Sequence, residues 1–214
     1  MSQIAVVDYG MGNLRSVAKA VEHVADGQNI IVTSSAEDIQ NADKIVFPGQ
    51  GAARDCMQEL ADRNLNQAVL QAAKEKPFLG ICMGMQVLLA HSEENNGVDC
   101  LGLYDGEVRK FSDSMKDSHG DKLKIPHMGW NQVQHSTEHT MWQNIKQGSR
   151  FYFVHSYYMD PQDQSIVTAT TEYGIEFVSG IAKDNVFAVQ FHPEKSAADG
   201  LQLLKNFSQW NGQQ

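Results

Sequence analysis

The chain has 214 residues, 42% of them hydrophobic and 20% charged, which suits one α/β domain over 1–214 with a sizeable core. Its formal net charge of −9 opposes a nucleic-acid or anionic-membrane surface, since phosphate binding draws on clustered Lys and Arg. No apolar run approaches the ~20 residues that cross a bilayer. Cys56, Cys82 and Cys100 are too few and odd in number for a disulfide framework, and the N-terminal stretch lacks a basic region followed by an apolar one, so a reducing, cytoplasmic setting is expected.

Taken in order, the apolar run 4–7 predicts a strand ending at Asp8. The loop Tyr9-Gly10-Met11-Gly12-Asn13 then opens a helix carrying Leu14, Val17, Ala18 and Val21 on one side. Gly10-x-Gly12 lacks the third glycine of a dinucleotide fingerprint and is followed by Arg15, which argues against a nicotinamide site. A second strand is predicted over 29–32, a helix start at Ser35, and a third strand over 44–47. This β-α alternation implies a parallel sheet. The third strand runs into Pro48-Gly49-Gln50-Gly51, whose glycines let backbone N–H groups face an anion. Helices are predicted over 52–60 and 64–74.

The run Pro77 to Gln86 is the most informative stretch. Phe78 to Ile81 reads as a buried strand, Val87, Leu88 and Ala90 read as one side of a following helix, and Gly80-Ile81-Cys82-Met83-Gly84 spans the turn between them. Small residues on either side of Cys82 allow a sharp elbow like that of Gly-x-Ser-x-Gly hydrolases, with a thiol in place of the hydroxyl. A buried cysteine is commonly an inert small hydrophobe, so the elbow alone leaves both readings open. A base is offered far downstream, where the apolar strand Phe187 to Phe191 is followed by His192-Pro193-Glu194. In extended chain His192 and Glu194 project to one side, so the carboxylate can orient the imidazole. Two strand-ended sites can meet at the carboxyl edge of a parallel sheet.

Between these sites, Ser92 to Gly97 is a polar loop near enough to the nucleophile to hold a substrate amine, although acidic loops of this kind are usually merely solvated. The second half is strand-rich: Val108, a loop over 112–124, the segment Ile125 to Asn131, and strands over 151–158, 166–170 and 178–182. His135-Ser136-Thr137-Glu138-His139 matches a His-x-x-Glu-His zinc pattern, but its surroundings are almost wholly polar and no third ligand stands out, so no metal is expected. A helix over 197–210, with Leu201, Leu204 and Phe207 on one side, ends the pattern.

Gly80 to Gln86, Pro48 to Gly51 and His192 to Glu194 together resemble the class I (triad) glutamine amidotransferases. Asp8 to Leu14, Ile125 to Asn131, Phe153 to Tyr158 and Phe191 to Ser196 are similar to the histidine-biosynthetic branch of that family. The resemblance spans nearly the whole chain. It implies a flavodoxin-like three-layer α/β sandwich with a central, mostly parallel sheet and an additional strand-rich second half. It also implies hydrolysis of L-glutamine without a cofactor, with Cys82 as nucleophile, His192 as base then acid, and Glu194 orienting it. Gly49, Gln50, Gly51 and Met83 would supply oxyanion-hole donors, and Gln86, Glu94, Ser156 and Tyr157 would line the glutamine pocket. Gln50 stands where that branch more often has an aliphatic residue, a change that leaves backbone donors in place. The implied partner is a cyclase subunit of (β/α)8-barrel fold, forming a heterodimer that meets Asn13, Trp130 and Lys195. Rival readings are the amidotransferase subunit of an anthranilate, guanylate or pyridoxal phosphate synthase, a non-catalytic regulatory subunit, and a cysteine hydrolase of peptides. Pro126-His127-Met128-Gly129-Trp130-Asn131 disfavours the first, and the complete Cys82, His192 and Glu194 set disfavours the second.

Overall fold

A computed structural model describes residues 2–117 and 119–213. Met1 and Gln214 of the predicted domain, and Ser118 of the predicted 112–124 loop, lie outside the described residues.

The first half alternates strand and helix: β1 (Gln3–Val7), α1 (Leu14–Val24), β2 (Asn29–Thr33), α2 (Ala36–Asn41), β3 (Lys44–Gly49), α3 (Ala53–Asp62), α4 (Asn66–Glu75), β4 (Phe78–Cys82) and α5 (Met83–Gln86). Strands β5 (Leu89–Ser92), β6 (Val98–Asp99), β7 (Tyr104–Lys110), β8 (His127–Gln132), β9 (Gln134–His135), β10 (Arg150–His155), β11 (Tyr157–Pro161), β12 (Val167–Glu172), β13 (Glu176–Lys183) and β14 (Val186–Val189) follow, and then α6 (Ala197–Gln209). The main sheet runs β2-β1-β3-β4-β14-β13-β11-β7-β5-β6, and β12 and β9 branch from β13. Its first five strands are mutually parallel, whereas β13, β11 and β7 continue by antiparallel pairing. β8 and β10 form a separate antiparallel ribbon.

Strand alternation divides the core into two layers. Ala5 and Val7 of β1 face one side, with Phe47 and Phe78, and pack under Ile39, Leu60 and Val69 of α2, α3 and α4. Ile4 and Val6 face the other, with Leu79 and Ile81, under Val17 and Val21 of α1 and Leu203, Leu204 and Phe207 of α6. Helices on both faces of a parallel sheet explain why β4 is buried at every position instead of alternating. Local signals agree with this layering, as where the Ser35 side chain accepts from the Asp38 N–H and starts α2.

Three expectations need correction. The helix predicted through Ala90 stops after four residues, and Leu89 and Ala90 belong to β5 instead. Short apolar runs carry no unambiguous period, and here pairing of β5 with β7 decides the outcome. The single strand predicted over 151–158 breaks at Ser156, because β10 pairs with β8 while β11 crosses into the main sheet. Finally, Pro193–Lys195 is a 3-10 turn capped by His192, so the chain there is not extended.

Candidate active site

Cys82 ends β4 at φ 55°, ψ −110°, a conformation sparsely populated by residues with a side chain. The turn closes because its flanks are glycine: a Cβ at Gly84 would stand 1.9 Å from the Phe47 carbonyl oxygen, and one at Gly80 would stand 2.8 Å from the Gly84 oxygen. These contacts bring β3 and the elbow together. The parallel register of β3 on β4 sets Gly49 opposite Cys82, so the Gly49-Gln50-Gly51 loop leaves the sheet beside the sulfur. Met83 begins α5, where a backbone N–H has no partner within the helix.

The glycine loop is tied down from β1. The buried Tyr9 hydroxyl donates to the Pro48 carbonyl at 2.9 Å. A Cβ at Gly49 would lie 2.3 Å from that hydroxyl and 2.7 Å from the Met83 Cβ, which leaves glycine as the residue that fits. Asn13 is half-buried at the start of α1, in the segment whose Gly12 and Met11 pack on Gly49 and Gly51.

His192 reaches the same edge from β14. Its backbone N–H donates to the Tyr152 carbonyl at 2.9 Å, and the Ser196 hydroxyl donates to its carbonyl at 2.6 Å. Its Nδ1 lies 2.9 Å from Glu194 Oε1, with the two side chains 2% and 1% exposed. A carboxylate accepts at Nδ1, so the proton sits there and Nε2, buried with no hydrogen-bond partner among the described residues, is left for chemistry. Burial alone would lower the imidazole, but the Cys82 sulfur and then Glu194 outweigh it and hold His192 up at about 10. Two further histidines are kept neutral beside it. Burial pushes His155 down to about 3 and His127 down to about 4, so positive charge in this region resides on His192.

Cys82 and His192 open on one cleft of about 410 Å³. Gln50, Gly51, Met83, Gln86, Glu94, Ser156 and Tyr157 line it, while Gly49 is not among the lining residues. Glu94 is anchored from α3, whose first N–H, on Ala53, donates to Glu94 Oε2 at 2.6 Å. A carboxylate there is suited to a substrate ammonium group at the cleft mouth. Gln86 spends both amide hydrogens on protein, on the Tyr157 carbonyl at 2.9 Å and Gln190 Oε1 at 2.8 Å, so toward a ligand it offers an acceptor.

Trp130 and Lys195 converge on Tyr152 outside the cleft. The Trp130 and Tyr152 rings pack edge to face at 6.2 Å, and the Lys195 ammonium lies 5.9 Å above the Tyr152 ring. Trp130 is 44% exposed and its neighbour Met128 62%, so neither fills the core. Lys195 is exposed, and it also rims the cleft. Asn13 is reached through the glycine loop and not through this aromatic patch.

Sequence reasoning missed Gln190, His155, Val154 and Pro126 at the site. For Gln190 a signal existed: it is a lone amide inside the apolar run Phe187 to Phe191. His135 and His139 do not share a helix. His135 lies in β9 and stacks on Trp142 at 4.1 Å, and His139 Nδ1 accepts from the Met141 N–H as a cap.

A family model described as glutamine amidotransferase class-I matches residues 5–209. The chain is 58% identical over 211 residues to the imidazole glycerol phosphate synthase subunit HisH of Hydrogenovibrio crunogenus, covering 98% of this chain and 97% of that protein. It is 55% identical over 212 residues to the HisH protein of Acinetobacter baylyi, covering 99% and 100%. Among solved structures, the glutaminase domain of Trypanosoma brucei CTPS superposes with a TM-score of 0.66 at 18% identity, over 99% of this chain and 95% of that one. PurLQS from Thermotoga maritima does so with a TM-score of 0.68 at 19% identity, over 96% and 97%. The two structures share the fold, and with the near-full-length sequence matches the outcome is plain: the chain belongs to the class-I glutamine amidotransferase family.

Proposed function

We propose that this chain is the glutaminase subunit of an imidazole glycerol phosphate synthase, hydrolysing L-glutamine to glutamate and ammonia through a thioester on Cys82. The observation that carries the chemistry is the meeting of a strained elbow cysteine with a buried His192–Glu194 pair on one cleft. Glutamine enters with its ammonium toward Glu94 and its side-chain amide at the sulfur. His192 Nε2 takes the Cys82 thiol proton as Sγ attacks the amide carbon, and the oxyanion is received by backbone donors from Met83 and the Gly49-Gln50-Gly51 loop. His192 Nε2 delivers a proton to the leaving nitrogen, the C–N bond breaks, and a γ-glutamyl thioester and ammonia form. His192 then takes a proton from water as it attacks the thioester, which releases glutamate and restores the thiol. Glu194 keeps the ring oriented through both proton transfers.

The ammonia passes to a cyclase subunit of (β/α)8-barrel fold, which forms imidazole glycerol phosphate and the aminoimidazole carboxamide ribonucleotide of histidine biosynthesis. Protonated in bulk water, ammonia is a poor nucleophile, which favours a docked acceptor. Identity above one half with relatives bearing that synthase's name supports this branch over the anthranilate, guanylate and pyridoxal phosphate alternatives. The exposed Met128, Trp130 and Lys195 beside the cleft support docking at this edge, with Asn13 touching the segment that packs on the glycine loop. The test is glutamine hydrolysis by this chain alone and with the cyclase subunit holding its ribonucleotide. Strong acceleration by the loaded cyclase is expected. Equal rates, or activation by a different synthase, would overturn the assignment.

A further inference from the structure

Gln190 is fully buried at the end of β14, its backbone N–H bonded to the Ser179 carbonyl at 3.0 Å. Its side-chain Nε2 lies 3.7 Å from Cys82 Sγ, within the range of an N–H···S hydrogen bond. An amide can be turned end for end, so the direction of this contact must come from its neighbours. They settle it. The Tyr157 carbonyl can only accept, so the Gln86 group 2.9 Å from it is the NH2. That NH2 is also 2.8 Å from Gln190, which must present its oxygen there and its own NH2 to the sulfur.

The same logic extends outward. His155 Nδ1 is 2.8 Å from the Tyr157 carbonyl and so donates. Its Nε2 must then accept from His127 Nδ1 at 2.9 Å, and His127 Nε2 accepts from Asn131. One hydrogen-bonded chain of fixed polarity thus backs the Tyr157 carbonyl and holds the Gln86–Gln190 pair in a single orientation.

We infer that Gln190 is a positioning residue for the nucleophile, its NH2 holding the Cys82 sulfur at the elbow and stabilising the negative sulfur when it forms and when the thioester collapses. This rests on the glutaminase reading for its consequence in turnover, but the contact itself does not. An anion-directed hydrogen bond in a dry site is one of the stronger kinds. His192 cannot supply it while its Nε2 is engaged in proton transfer to the leaving group. A buried amide that served only as the acceptor for Gln86 would leave the reactivity of Cys82 unchanged when its NH2 is removed.

The test compares Gln190→Leu, which removes the amide, with Gln190→Glu, which keeps the shape and an acceptor for Gln86 but turns an anion toward the sulfur. Two readouts are taken at neutral pH: the rate of Cys82 alkylation by iodoacetamide, located by peptide mapping, and kcat and KM for glutamine in the complex with the cyclase subunit. Loss of roughly 10- to 100-fold in alkylation rate and kcat is expected for Gln190→Leu, with KM nearly unchanged and Gln190→Glu at least as slow. Unchanged alkylation and kcat in folded Gln190→Leu would overturn the inference. If neither variant folds, Gln86→Met leaves Gln190 in place but frees its amide to turn. A smaller fall in alkylation rate is expected there, and none would overturn it. If the unsubstituted chain hydrolyses no glutamine while the alkylation differences persist, the glutaminase reading fails and the role of Gln190 toward Cys82 stands.

Discussion

Gly84 lies against the Phe47 carbonyl so closely that a Cβ on it would stand 1.9 Å from the oxygen. Because that atom belongs to the β3 backbone, it cannot swing away as a flexible side chain would. Gly84→Ala should therefore push the elbow off β3, at a cost of about 1–3 kcal/mol in denaturant unfolding, typical of overpacked cores. Displacing Cys82 from Gly49 should also cut glutamine hydrolysis at least about tenfold, since misplacement of a reacting group by ~1 Å has effects of that order or larger. Wild-type activity in Gly84→Ala would contradict the close approach.

Tyr9→Phe removes one hydroxyl and leaves the buried Pro48 carbonyl without its donor at 2.9 Å. An unsatisfied buried acceptor costs about 1–3 kcal/mol, so the midpoint of urea unfolding should fall accordingly. Hydrolysis should suffer too, because this bond secures the base of the glycine loop. The comparison is informative because Phe retains the ring packed 5.4 Å from Phe47.

Stability should decline on acidification in a window set by two histidines. His127 and His155 stay neutral in the fold down to about 4 and 3, whereas in the unfolded chain they take up protons as the pH falls through about 6.5. The unfolded state then binds more protons, so stability present above about pH 6.5 is lost as the pH falls toward 3. His192 runs the other way. Held at about 10 by Cys82 and Glu194 against the effect of burial, it contributes fully below about pH 6.5 and loses that contribution as the pH rises toward 10. Melting temperatures across this range should show a flatter acid limb in His127→Gln/His155→Gln and a flatter alkaline limb in His192→Ala. An unaltered acid limb would mean that His127 and His155 are not kept neutral by burial, and an unaltered alkaline limb that Cys82 and Glu194 do not hold the His192 charge.

Much of this site was legible in the sequence because its chemistry sits at strand ends. Cys82 and His192 each close an apolar run, and parallel strands deliver such positions to one edge. What remained hidden depends on pairing and packing that no local pattern encodes. The Val87 to Ala90 run fits helix and strand alike, yet Val87 and Leu88 form a turn and the position of β7 selects strand for Leu89 and Ala90. Ser156 looks like mid-strand until β10 and β11 enter different sheets. His192 and Glu194 meet across a 3-10 turn, although the sequence suggested extended chain. Gln190 and His155 become significant only through their bonds to residues far away in the chain.

Trp130→Ala and Lys195→Ala should separate docking from chemistry. Trp130 is 44% exposed, so its truncation should change the stability of the isolated chain by only about 0.5 kcal/mol, as surface substitutions do. As an aromatic anchor at an interface it should weaken cyclase binding by about 2 kcal/mol or more in calorimetry. Lys195→Ala should lower glutamine-dependent synthesis by the complex while leaving the Cys82 reaction with a glutamine-analogue electrophile intact. Full synthesis in both variants would place the docking surface elsewhere.

Formation of a γ-glutamyl thioester on Cys82 is tested most directly by acid-quenching the chain during turnover of glutamine and mapping the adduct by mass spectrometry. The adduct should fall on the peptide carrying Cys82, with none on Cys56 or Cys100, and Cys82→Ala should form no adduct and release no ammonia while remaining folded by circular dichroism. Ammonia release by a clean Cys82→Ala preparation, or an adduct on another residue, would contradict the assignment.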